Sequence, residues 1–374
     1  MTFRWPFSKT KLQHWVGINL SSLTPSAVIY SHEGVVDAQS FDQEQGIEGL
    51  ALWLKDHTFH GMPCVLVLDE SDYELLLVEA PSVPDEELSA AIEFRIGDLL
   101  AQPIEETAIQ AVRLPDDAYR GRMSMAHVIA SPNKKVQAWV DWAEHLHLEV
   151  VIITVPEISL LNVLAVNSIN QGIALLELGP KQGCIRLYQE GALYLTHQVE
   201  VGIDALDIAH KNVLADGSLN KGEAANEFDL DELIDDDFTS ELADKEIGLD
   251  LEESDVDIED DELNIDQSAY VGFAPKAKVN EKQVQSLVLE VQRSLDYYES
   301  QLGMGQITQL WLMAGDQDLS DLVDEMQPAL TASIEQPNIK EKLSQEAGIH
   351  VSEKVVGIND VVTALGGAMA YAAS

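Results

Sequence analysis

One repeat constrains this chain more than any other feature. Three short apolar runs near the start, 15–20, 26–30 and 35–41, are separated by turns. Runs of that length bounded by turn residues predict strands in an antiparallel meander. The same order returns at 173–178, 184–188 and 192–201. Asn19 and Glu177 lie 158 positions apart, and so do Tyr30 and Tyr188. Glu33-Gly34 and Glu190-Gly191 lie 157 apart, which reads as a one-residue deletion in the second turn. Strand order, turn residues and spacing agree, so the spacing predicts a duplicated β-β-β unit, with chance likeness of two meanders as the alternative.

Helical periodicity fills the space around the two units. Ile47, Leu50, Ala51 and Leu54 share one face of a helix over 47–57, and strands are expected at 64–68 and 73–80. Pro84, followed by Asp85, Glu86 and Glu87, opens a helix, because proline and acidic residues suit a first turn. Leu88, Ile92, Ile96 and Leu99 continue that helix, and Pro103 is expected to stop it. A strand at 127–130, a helix over 132–148 and a strand at 150–155 follow, and Pro156 begins a helix to about 167. Beyond the second meander, a long amphipathic helix over 284–302 ends at Gly303. A strand at 307–313 and helices at 319–326 and 360–373 complete the pattern.

Charge excludes several functions. The 374 residues hold 22 Lys+Arg against 65 Asp+Glu, a formal net charge of -43. Such a balance is wrong for neutralising nucleic-acid phosphates or adhering to an anionic membrane. The stretch 223–266 alone carries 21 acidic residues against one basic residue, Lys245. Low in apolar residues, the segment 215–278 is expected to be disordered. Two cysteines, Cys64 and Cys184, fit a reducing compartment. No apolar run suits a signal peptide or a membrane span, so the expected address is the cytoplasm.

Motifs for chemistry are scarce. The sequence has no P-loop, G-x-S-x-G or H-E-x-x-H. His57 and His60 lack partners at zinc spacing, and His145 and His147 do not share a helix face. Asp255, Asp257 and Glu259 begin like a calcium loop, but Asp260 stands where the turn needs glycine. Neither a catalytic residue nor a metal site is expected.

Two β-β-β units, each followed by helices and a further strand, resemble the actin-like architecture, a duplicated ribonuclease H-like α/β fold. A narrower resemblance covers nearly the whole chain outside the acidic stretch. The segment 73–114, with its core APSVPDEELSAAIEFRIGDLLAQPIEE, resembles the extra subdomain of the PilM family of type IV pilus assembly proteins, relatives of FtsA. Segments 128–165, 174–206 and 287–315 resemble that family in the same order, including its mannose-sensitive haemagglutinin (MSHA) pilus branch. The resemblance implies a first half of lobe 1 over 1–77 and an inserted subdomain over 78–148. The rest of lobe 1 and the start of lobe 2 follow over 149–214, then the acidic insertion 215–278 and the remainder of lobe 2 over 279–374.

It also implies a nucleotide cleft, from which this sequence departs. The first phosphate loop of the family, G-[IL]-D-I-G-S-S, is here Gly17-Ile18-Asn19-Leu20-Ser21-Ser22-Leu23. Asn19 brings no negative charge for a hydrated magnesium, and Ser21 replaces a glycine. The second loop is Glu177-Leu178-Gly179-Pro180-Lys181-Gln182-Gly183, without the family's threonine, and the adenosine-side glycine pair is Ala314-Gly315. The expected site is therefore a degenerate one at Asn19, Ser21, Ser22, Glu177, Gly179, Ala314 and Gly315, with ATP and magnesium as the ligands if it still binds. The implied function is a cytoplasmic scaffold, peripheral to the inner membrane through a protein partner. That partner is the N-terminal cytoplasmic peptide of a bitopic, PilN-like pilus protein, with the pilus assembly ATPase as a further one. Phe94, Arg95 and Ile104 are the expected peptide contacts. An active ATP-binding or ATP-hydrolysing switch is the alternative.

Overall fold

The computed structural model describes residues 14–165, 172–206, 208 and 279–373. The acidic stretch at 215–278 lies outside the described residues, as does the end of the helix expected to reach 167.

The first meander is β1 (His14–Asn19), β2 (Ser26–Ser31) and β3 (Gly34–Ser40). All six residues of β2 are buried, so its apolar run is continuous rather than alternating. Helix α1 (Gly46–His57) buries Leu50 and Leu54 and returns the chain to β4 (Met62–Val67), parallel to β1 with Asn19 opposite Val67.

The chain then leaves this sheet. Strands β5 (Glu74–Glu79), β6 (Thr107–Arg113) and β7 (Met125–Pro132) make a separate antiparallel sheet in the order β5-β7-β6. Helix α2 (Asp85–Ile96) covers one face of it, setting Leu88, Ile92 and Ile96 against Ala111, Ala126 and Val128. Helix α3 (Asn133–His145) leads into β8 (Leu148–Thr154), which rejoins the first sheet beside β4, and α4 (Pro156–Ala165) follows. Sequence periodicity carries α2 on to Pro103, but it ends at Ile96, and Leu99 is left exposed. Periodicity also gives no strand at β6, whose mix of Ala, Gln and Thr dilutes the apolar signal.

The second meander is β9 (Ile173–Leu178), β10 (Gly183–Gln189) and β11 (Ala192–Val199). Helix α5 (Glu281–Tyr297) runs into a π-type turn, Tyr298–Leu302, closed by Gly303 at φ 74°. Strand β12 (Gln309–Met313) pairs parallel to β9, then α6 (Ser320–Met326) leads to the short edge strand β13 (Ser333–Glu335). Helix α7 (Ile339–Glu346) and β14 (His350–Val351) carry the chain back to pair with β3, and α8 (Val362–Ala373) lies on β1. The two sheets have one topology, β3-β2-β1-β4-β8 and β11-β10-β9-β12-β13, with β14 added to the edge of the first. Trp15, Tyr30, Leu160, Tyr188, Trp311 and Leu365 share a core cluster that joins the lobes.

The ladders establish the duplication residue by residue. Asn19 faces Ser26 and Trp15 faces Tyr30; Glu177 faces Cys184 and Ile173 faces Tyr188, each 158 positions on. A register shift falls between Ile29 and Tyr30 in one copy and between Leu187 and Tyr188 in the other. The 158 offset continues through the turns, since Ser31 faces Gly34 and Gln189 faces Ala192. The deletion read from the sequence is therefore absent, and Gly34 and Gly191 are not equivalent. Gly191 closes a tight turn at φ 77° after Glu190 at 48°. Gly34 clears space for β14, because a Cβ there would stand 2.1 Å from the His350 carbonyl oxygen.

Candidate functional site

In each sheet the parallel pair ends where the candidate loops begin: Asn19 pairs with Val67, and Glu177 with Met313. Ligand sites in open α/β sheets form beyond such carboxyl ends. This topology brings Asn19, Ser21 and Ser22 together in one lobe, and Glu177, Gly179, Ala314 and Gly315 together in the other.

Backbone amides at these loops already have acceptors inside the protein. The Ser22 amide donates to Asp69 Oδ2 at 2.6 Å. Ser21 Oγ accepts from the Leu23 and Thr24 amides, each at 3.3 Å. In the second lobe, the Gly179 amide donates to the Gln182 carbonyl at 2.9 Å, and Pro180 has no amide to offer. Residues beyond β11 pin this loop from behind: the Ile203 and Asp204 amides donate to the Gly179 and Pro180 carbonyls. At the Ala314-Gly315 corner, a Cβ on Gly315 would lie 1.9 Å from Asp360 Oδ1, so a carboxylate of the C-terminal segment sits against this glycine. Asp360 Oδ1 accepts from the Asp316 amide at 3.1 Å. Desolvation, and then the Asp316 charge, push Asp360 up to about 6. Asp316 is also raised by desolvation, against hydrogen bonds from Asn359.

Between the two lobes lies a cation. Arg186, in the middle of β10, is 1% exposed. Its Nη1 donates to Glu177 Oε2 and its Nη2 to Glu70 Oε1, both at 2.8 Å. Its Nε lies 3.7 Å from Glu157 Oε1 at the start of α4. Tyr73 donates its hydroxyl to Glu157 Oε2 at 2.7 Å. Desolvation opposes the charge on Arg186, but the surrounding negative groups, Glu177 and Glu157 among them, overcome it and hold the guanidinium well above its ordinary range. Glu70 is raised by desolvation, partly offset by Arg186.

The turn Asp69-Glu70-Ser71-Asp72 organises these contacts. Asp69 caps the first loop, and Glu70 reaches Arg186 in the other lobe. Asp72, 3% exposed, takes Lys135 Nζ at 2.5 Å and Trp139 Nε1 at 2.6 Å from α3. Sequence reading missed this turn and Arg186. The available signal was a lone arginine inside the apolar run 184–188, but its partners lie far away in the chain.

The residues expected to meet a peptide lie on the small sheet's helix and the loop after it. Phe94 projects from the outer face of α2 and is 92% exposed, so it fills no core. Arg95 is exposed beside it, and Ile104 is half-buried in a turn before β6. His57 stacks on Trp53, and His60 lies against His147, while no group of three or more His, Cys, Asp or Glu suited to a metal occurs among the described residues. Burial, with Glu149 adding, pushes the Cys64 thiol up to about 12, which makes it a poor nucleophile.

No family model matches the chain, and no curated protein matches its sequence. Among solved structures, one described as a PilM–PilN type IV pilus biogenesis complex aligns at a TM-score of 0.60 and 15% identity, over 95% of this chain and 98% of that one. The ethanolamine utilization protein EutJ from Carboxydothermus hydrogenoformans aligns at 0.42 and 11% identity, over 95% and 89%, too distant to carry an argument. The chain has an actin-like α/β fold of the PilM kind. Among the described residues, no helix is long and apolar enough to cross a membrane.

Proposed function

We propose that this chain is a cytoplasmic scaffold of a type IV pilus assembly machine of the MSHA kind, held at the inner membrane by a PilN-like partner. The likeness to the PilM–PilN structure over 95% of the chain carries the reading. In it, the small sheet with α2 is the inserted subdomain. Its exposed Phe94, with Arg95 and Ile104, takes the short N-terminal cytoplasmic peptide of the partner, as an exposed aromatic suits an anchor role. The nucleotide cleft is degenerate, which the internal acceptors on the Ser22, Leu23, Thr24 and Gly179 amides support.

A pull-down with the partner's peptide tests the first half. Phe94→Ala, Arg95→Ala and Ile104→Ala should each weaken capture while the melting transition stays within about 0.5 kcal/mol of wild type for the exposed Phe94. Equal capture by all three variants would move the groove elsewhere. Calorimetry tests the second half. ATP with magnesium should show no binding tighter than about 1 μM, and a tighter Kd would restore the ATP-driven switch.

A further inference from the structure

Arg186 occupies a position that does not need an arginine. Its register equivalent in the first meander is Val28, 158 residues earlier and buried in the shared apolar core. The same strand thus folds with an aliphatic side chain at this place. Burying a guanidinium instead carries a large desolvation penalty, which only well-placed opposite charges offset. Those charges come from three separate parts of the fold. Glu177 belongs to the same sheet, Glu70 to the turn after β4 in the other lobe, and Glu157 to the first turn of α4.

We propose that Arg186 is a built-in counter-cation that clamps the two lobes together, so that the cleft is held closed without a ligand. Three carboxylates converge on one guanidinium, and without it they would repel each other across the cleft. The clamp also reaches the first loop, because Glu70 follows Asp69 directly and Asp69 holds the Ser22 amide. Lobe closure and loop order therefore share one short turn. The inference rests on the reading that nucleotide does not close this cleft.

A double-mutant cycle between Arg186 and Glu70 tests it. Arg186→Met should lower the melting temperature by roughly 5–10 °C. Glu70→Gln alone should lower it by a smaller amount. In the Arg186→Met background, Glu70→Gln should raise it, since it then removes one of three carboxylates that repel each other with no cation between them. A side chain that merely fills space gives Glu70→Gln the same effect in both backgrounds, and that result would overturn the clamp. Hydrogen exchange adds the lobe readout: the amides of 22–24 and those of Gly179, Lys181 and Gln182 should exchange faster together in Arg186→Met. Should that variant not fold, Glu70→Lys changes only a side chain that is 43% exposed. It should cost roughly 5 °C at low salt, and an unchanged melting temperature would overturn the proposal. Binding of ATP to wild type with the coupling intact would sink the degenerate cleft and leave the clamp standing; absent coupling with no ATP binding would do the reverse.

Discussion

Val28 and Arg186 hold the same place in two copies of one strand, and they show what duplication keeps and what it frees. Ladder, register and bulge agree throughout the two meanders. Side chains diverge where the copies face different neighbours. Gly17 corresponds to Leu175, because α8 lies so close to β1 that a Cβ at Gly17 would stand 2.1 Å from the Ala364 carbonyl oxygen. Asp69-Glu70 corresponds in the same way to Gly315-Asp316, each following the end of a parallel strand. The first acidic turn meets a guanidinium, and the second meets another carboxylate, Asp360. Backbone pairing fixes the architecture, while the local contacts differ at the positions where the copies disagree.

Exchanging residues between copies can break this comparison. Gly17→Leu should have the largest effect, a loss of at least about 3 kcal/mol or failure to fold, because backbone of α8 must move. Urea denaturation measures it, and a near-wild-type midpoint would mean that α8 does not fix this position. The reciprocal Leu175→Ala should cost about 3 kcal/mol by leaving a cavity at a residue 1% exposed. Gly191→Ala should cost about 1 kcal/mol through its left-handed backbone, read from the same denaturation curves.

Asp360→Asn sharpens the comparison with the smallest expected change and the opposite sign. A carboxyl whose folded pKa is raised stabilises while protonated. Its contribution is complete below the unfolded value near 4 and is lost as pH rises through about 6. Asparagine keeps an acceptor for the Asp316 amide without the charge. Melting temperature should therefore rise at pH 7 to 8 and stay level near pH 4. An equal shift at both would exclude charge as the cause.

The sequence showed the repeat because the first two strands of each meander are buried on both faces and so are written as largely apolar runs, and their spacing survived. It misplaced Gly34 against Gly191 because two glycines serve different ends, one for a neighbouring strand and one for a turn. Strands β13 and β14 and helix α7 escaped because they are short and hold few apolar residues. Loop departures at Asn19, Ser21 and Pro180 were legible one by one, since each changes a local chemical capacity. Arg186 and its carboxylates were not, because a lone charge declares its meaning only when partners from distant segments are placed beside it.

The pairing of β14 with β3 also bears on how the chain is made. The first sheet gains its last strand at residues 350–351, and β1 is covered by a helix at 362–373. Trp15 donates its indole hydrogen to the carbonyl of Ala368, 353 positions away. The second sheet, by contrast, has all five strands by Glu335. During synthesis the later lobe can thus assemble its sheet while the earlier one still lacks its cover. Closing so long a loop is slow, and until the last helix leaves the ribosome the apolar face of β1 remains a natural client for a chaperone.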